Sequence, residues 1–254
     1  MTLALEQTDP MDRSICGVTV APRRFAEAAE RIARAVRERS PLHVAFANAH
    51  CVNVAAKEAD YRAALGGFLV LSDGVGVDIA SRWLHGAPFP ENLNGTDFVP
   101  RLLAESGEGW RVGLLGGAPG VASEAAARFA ERFGQHLFLP VRDGFFAAGP
   151  ETEALRETLR GFELDILLVA TGVPRQELFI ARHVGVREAP VAIAVGALLD
   201  FAAGRVSRAP ALVRRLRVEW VWRLVQEPRR LFARYLLGTP LFFARVLAER
   251  MRQR

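Results

Sequence analysis

The stretch Val70 to Gly76, VLSDGVG, ends an apolar run in a single carboxylate, Asp73, framed by small and flexible residues. In an open parallel sheet the ligand crevice lies beyond the carboxyl ends of the strands, so an acid at that point stands where chemistry is done. Asp73 is therefore a candidate general base, and Gly74 and Gly76 permit the close backbone approach that a ligand-touching loop needs. The same residue also suits the cap of the helix that follows, a role Asp fills well. A second stretch, TGVPRQE at 171–177, puts Gln176 and Glu177 at a helix start. Gln can hydrogen-bond a sugar or a base, and Glu is favoured there by the helix dipole. A third, LGGAPG at 115–120, precedes a helix, where Gly116 and Gly117 can turn backbone amides toward a phosphate. It is neither G-x-G-x-x-G nor a Walker A loop. The chain has no Asp-x-Asp pair to hold a metal-bound diphosphate, so protein donors are expected to neutralise one if it binds, with no metal and no cofactor.

The elements that must position these residues are legible as alternating patterns. Ile15 to Val20 reads as a strand and Pro22 to Arg39 as a helix with Phe25, Ala28, Ile32 and Val36 on one face. His43 to Ala47 is a second strand, Cys51 to Leu65 a helix, and Phe68 to Leu71 the strand that delivers Asp73. Strands follow at Arg111 to Leu115, Leu137 to Val141, Leu164 to Ala170 and Val191 to Val195, with helices between. The pattern predicts an α/β, Rossmann-like, doubly wound and mostly parallel sheet. The segment HGAPFPENLNGTDF interrupts the alternation and is a candidate lid. Residues 209 to 253 read as two or three short helices, broken at Pro228 and at Gly238 to Pro240.

Charge divides the chain at the same place. Residues 205 to 254 hold 13 arginines against Glu219, Glu227 and Glu249, whereas residues 1 to 204 carry a net −5. This predicts a Rossmann-like domain over 1–204 and, over 205–254, a basic helical appendage whose charge suits a phosphate-rich partner, either nucleic acid or an anionic membrane surface. The longest apolar run, Ala189 to Leu199, is too short for a bilayer, which takes roughly 20 residues. The N-terminus does not resemble a signal peptide, and two cysteines, Cys16 and Cys51, suit a reducing compartment. A cytoplasmic protein, not integral to a membrane, is expected.

Taken together, NAHCVN, SDGVGVDIA, NGTDF, LLGGAPGVA, GVPRQE, AVGALLDFAAG, RAP and EWVWRLVQEPRRLFARY occur in one order over roughly residues 15 to 237. In that combination the sequence resembles the WecG/TagA/CpsF family of bacterial glycosyltransferases. The resemblance implies metal-independent, inverting transfer of a hexose or N-acetylhexosamine-type sugar from a UDP-sugar to a polyprenyl-diphosphate-linked saccharide. The products belong to cell-surface polysaccharides of the exopolysaccharide, teichoic acid or common-antigen type. Asp73 matches the base, Gln176 a polar active-site residue, and Arg208, Arg223 and Arg230 the appendage that in the family closes over the site and touches the membrane. The resemblance thus implies a catalytic domain over 1–204, an appendage over 205–254 that completes the active site, and a place peripheral on the inner face of the cell membrane. Phe46 stands where the family often has Thr, and Arg142 and Asp143 replace its usual approach to Gly144, departures that bear on which sugar is taken.

Inversion needs a single displacement, so one carboxylate suffices: Asp73 deprotonates the acceptor hydroxyl as it attacks. Arginines, Arg223 among them, and the amides of Gly116 and Gly117 would meet the charge on the leaving UDP. Asn48, Thr96, Asp97 and Glu177 complete the expected substrate contacts. Two other classes fit parts of the pattern: an NAD(P)-dependent oxidoreductase, against which stands the lack of a strict G-x-G-x-x-G followed by an acid, and a non-enzymatic nucleic-acid or membrane-binding module built on the tail. On the family resemblance no nucleic acid partner is expected, and the tail's aromatics allow a homo-oligomer.

Overall fold

The computed structural model describes residues 11–207, 210, 219–226 and 228–253. Its strands form where apolar, β-branched runs meet turn residues. A hairpin comes first, β1 (Arg13–Ile15) against β2 (Val18–Val20), antiparallel. The sequence predicts one strand here; Cys16 and Gly17, at φ 50° and 81°, instead fold it into a two-residue turn. After α1 (Phe25–Arg37) come β3 (Leu42–Ala47), α2 (Ala49–Ala55), α3 (Ala59–Leu65), β4 (Phe68–Ser72), α4 (Val75–His85) and α5 (Gly95–Glu105). Next are β5 (Arg111–Gly116), α6 (Val121–Arg132), β6 (Leu137–Arg142), α7 (Pro150–Gly161), β7 (Ile166–Ala170), α8 (Arg175–His183), β8 (Val191–Ala194) and α9 (Leu198–Ala202). The single helix expected from Cys51 to Leu65 is two, because the chain leaves helical geometry between Ala56 and Glu58.

The main sheet has six parallel strands in the order β4-β3-β8-β7-β5-β6. The four interior strands, β3, β8, β7 and β5, are buried along all or nearly all of their length, as their continuous apolar runs require. Pro140, which cannot donate to a ladder, falls on the edge strand β6. Strand residues alternate between two cores: Val44, Phe46, Leu114 and Leu168 join the layer of α1, α5, α6 and α9, while Ala45, Ala47, Leu115 and Val169 join that of α2, α4, α7 and α8. The doubly wound, Rossmann-like expectation is met.

The tail contributes α10 (Glu219–Gln226), α11 (Pro228–Phe232), a π-helical segment (Ala233–Leu237) and α12 (Gly238–Arg252). The break expected at Gly238 to Pro240 does not occur. The π-helical turn runs straight into α12, and Pro240 sits in the first turn, where a missing N–H is tolerated. Phe242 and Val246 of α12 are fully buried in the core layer of α2 and α4, and Asn53 Nδ2 donates to the Gly238 carbonyl at 2.6 Å. Among the described residues no helix is long and apolar enough to cross a membrane.

Candidate active site

All six strands of the sheet point their carboxyl ends into one cleft of about 650 Å³. Register determines what emerges side by side. Ala47 pairs with Ser72, so the next residue of each strand, Asn48 and Asp73, leave the sheet together, and Asn48 Nδ2 donates to Asp73 Oδ2 at 3.0 Å. The Asn48 Oδ1 accepts from the backbone N–H groups of His50 and Cys51, capping α2. One amide thus starts a helix and orients the acid. The N-cap of α4 is Gly74, at φ 93°, so the capping position open to Asp73 is taken by the glycine behind it.

The segment from His85 to Phe98 is not a free lid. Ser72 Oγ donates to the Glu91 carbonyl at 2.9 Å, Gly74 N–H donates to Asn92 Oδ1 at 2.6 Å, and Phe89 and Leu93 are buried. Its prolines and polar residues break the helix, but its two apolar side chains anchor it under Asp73. At its end Asn94 caps α5. Gly95 and Thr96 line the cleft, and Phe46 packs where a Cβ on Gly95 would stand 2.9 Å from its ring. Asp97 does not line the cleft: it is exposed and accepts from Asn94 Nδ2 at 2.9 Å. The Asn-to-Asp spacing in NGTDF is a helix start, which accounts for the placement.

Gly117 lines the cleft and Gly116 lies just beneath it, at the end of β5. Gly116 stands at φ 129°, and a Cβ there would lie 2.5 Å from the Ala170 carbonyl atoms. The Gly117 N–H is already donated to the Ala170 carbonyl at 3.2 Å, so it is not presented to a phosphate as expected; Gly116 provides close contact between β5 and β7, and Gly117 close contact with Val121 at the start of α6.

Gln176 and Glu177 begin α8, both buried, and only Gln176 lines the cleft. Its Oε1 accepts from the Gly196 N–H at 3.1 Å and its Nε2 donates to Glu177 Oε1 at 2.8 Å. Burial pushes the Glu177 carboxyl up to about 7 against the lowering effect of that hydrogen bond. Arg208 lies outside the described residues, and Arg223 and Arg230 fall on α10 and α11 with their side chains outside the described set.

Lining residues beyond the expected site set include four with ionisable side chains: Arg175, Asp200, Arg234 and His50. Arg175, beside Gln176, reaches the Gly144 carbonyl at 3.3 Å, and Asp200 enters from α9. Arg234, on the π-helical segment, brings a cation of the tail to the cleft, next to Leu231. His50, at the start of α2, is lowered to about 4 by burial and by the Arg234 cation, so its ring is neutral at pH 7. The signal for Arg175 was its place in GVPRQE; choosing Arg234 among 13 tail arginines required the fold. Among the described residues no group of three or more His, Cys, Asp or Glu side chains is placed to hold a metal ion.

An oriented carboxylate and two arginines around a cleft of this size suit transfer chemistry on a polar, anionic substrate. Comparison with protein families agrees: the family described as Glycosyl transferase WecG/TagA/CpsF family matches residues 13–254. With nearly its whole length matched, the chain belongs to the WecG/TagA/CpsF family of glycosyltransferases.

Proposed function

We propose that the protein transfers a sugar, with inversion and without a divalent metal, from a UDP-sugar to a polyprenyl-diphosphate-linked saccharide in cell-surface polysaccharide synthesis. The observation that carries this reading is the Asp73 carboxylate, held by Asn48 at the mouth of β4 in a cleft shared with Arg175 and Arg234. Asp73 takes the proton of the acceptor hydroxyl as that oxygen bonds to the anomeric carbon; the bond from that carbon to the β-phosphate oxygen breaks, and UDP departs with the electron pair. Arg175 and Arg234, with the tail arginines Arg208, Arg223 and Arg230, meet the charge that gathers on the β-phosphate. Asn48, Thr96 and Gln176 supply hydrogen bonds to the sugar or nucleoside.

The appendage supports an acceptor held in a membrane. Val225, Phe232, Leu236, Leu237, Leu247 and Met251 are exposed on helices that also carry arginines, the composition of a surface that inserts apolar side chains and pairs its charge with anionic headgroups. The test is UDP release from a panel of UDP-sugars with a polyprenyl-diphosphate saccharide in detergent and EDTA. Acceptor-dependent release that survives EDTA and falls at least ~100-fold in Asp73→Asn is expected. Equal release by the variant would remove Asp73 from the role of base.

A further inference from the structure

Side chains at neighbouring helix positions point about 100° apart and do not ordinarily meet. Gln176 and Glu177 do: Gln176 Nε2 donates to Glu177 Oε1 at 2.8 Å, with both residues buried at the first turn of α8. The other end of the amide is held by the Gly196 N–H, at 3.1 Å from Oε1. A backbone N–H only donates, so the atom facing Gly196 is the oxygen, and the nitrogen must face the carboxyl group. Glu177 therefore acts on a single rotatable group, and that group lines the cleft while Glu177 does not.

Glu177 is also a costly residue at its position. Its second oxygen, Oε2, is buried with no hydrogen-bond partner, whereas an apolar side chain of similar volume would fill the same space without that penalty. Packing alone does not account for an acid here. Among the described residues, its hydrogen bond to another side chain is the one to Gln176.

We propose that Glu177 is a positioning residue: it locks the Gln176 amide so that the second Nε2 hydrogen and the second Oε1 lone pair are left for a sugar hydroxyl in the cleft. A donor and an acceptor fixed side by side on one rigid plane match a hydroxyl, which both donates and accepts. Freed from Glu177, the amide can rotate about its last bond and lose that alignment. The inference rests on the reading of the cleft as a sugar-transfer site.

The experiment compares Glu177→Met, which keeps volume but removes the acceptor, with Glu177→Gln, whose carbonyl oxygen can still accept, each alone and with Gln176→Ala. Two readouts are used: the side-chain amide signals of Gln176 in protein labelled with 15N-glutamine, and kcat for acceptor-dependent UDP release. Glu177→Met is expected to shift the Gln176 amide pair and lower kcat at least ~10-fold, by the factor seen in Gln176→Ala. It should add no further loss when combined with Gln176→Ala, and Glu177→Gln should restore kcat to within ~3-fold. Unchanged amide signals in Glu177→Met, or losses that multiply in the double variant, would overturn the proposal. Should Glu177→Met fail to fold, Glu177→Gln decides alone: a retained amide signal and kcat support the positioning role, and a tenfold loss removes it. The amide signals are read without substrate, so an absence of UDP release in the wild type would count against the proposed function and leave this readout standing.

Discussion

At the scale of single residues, Asn48 and Glu177 do more than their sequence positions suggest. Asn48 caps α2 through Oδ1 and holds Asp73 through Nδ2. Asn48→Asp keeps a good cap but sets a carboxylate beside a carboxylate, which raises the pKa of Asp73. The acidic limb of the kcat/KM profile should move to higher pH by about one unit or more while the melting temperature changes little. A limb that stays in place would show that the two side chains are not coupled in the working enzyme. For Glu177 the folded carboxyl is raised from its ordinary 4.5 to about 7 by burial. Between those values the folded state holds a proton the unfolded chain has lost, so this group costs stability as pH rises from about 4.5 to about 7. Gln does not titrate, and Glu177→Gln should therefore gain on the wild type over that window, by up to about 3 kcal/mol above pH 7, in urea unfolding followed from pH 4.5 to 8.

At the scale of elements, the site is made by strand ends and the glycines that let them close up. The β5–β7 contact at Gly116 leaves no room for a side chain and uses a φ that side chains rarely adopt. Gly116→Ala is expected to cost more than about 3 kcal/mol and to lower expression of soluble protein; a melting temperature within a few degrees of wild type would show that β5 and β7 can separate there at little cost. The apolar runs and turn residues announced most of these elements, including all six strands of the main sheet. The structure departs from the sequence pattern at two helix boundaries, which depend on where carbonyls and amides find partners: α2 ends where the Lys57 and Glu58 N–H groups both donate to the Val54 carbonyl, and α12 starts where the Gly238 carbonyl accepts from Asn53 of α2.

At the scale of the whole molecule, the basic tail is joined to the domain by buried apolar contacts. Phe242 and Val246 sit in the same core layer as Val52, Val77 and Ala80, and Cys16 N–H donates to Glu249 Oε2 at 2.6 Å, tying α12 to the opening hairpin. These contacts hold Leu231 and Arg234 over the cleft. Phe242→Ala should cost about 3–5 kcal/mol, read as a loss of melting temperature. Activity should fall further than the folded fraction does, because the cleft loses its tail-borne arginine when α12 loosens; a purely proportional fall would mean that the tail keeps its place without Phe242.

What the sequence by itself determined is local: which stretches are buried strands, that each ends in small or polar residues, and that one such end carries Asp73. Those signals arise within a few residues, from periodicity and turn chemistry. Only the tertiary structure decided that β3 lies beside β4 in the register that hands Asn48 to Asp73, that Glu177 goes beneath the cleft while Gln176 lines it, that Asp97 faces outward, and which described tail arginine arrives. Strand order and register are set by packing two helical layers onto one sheet, a balance among residues far apart in the chain, and no window of the sequence contains it.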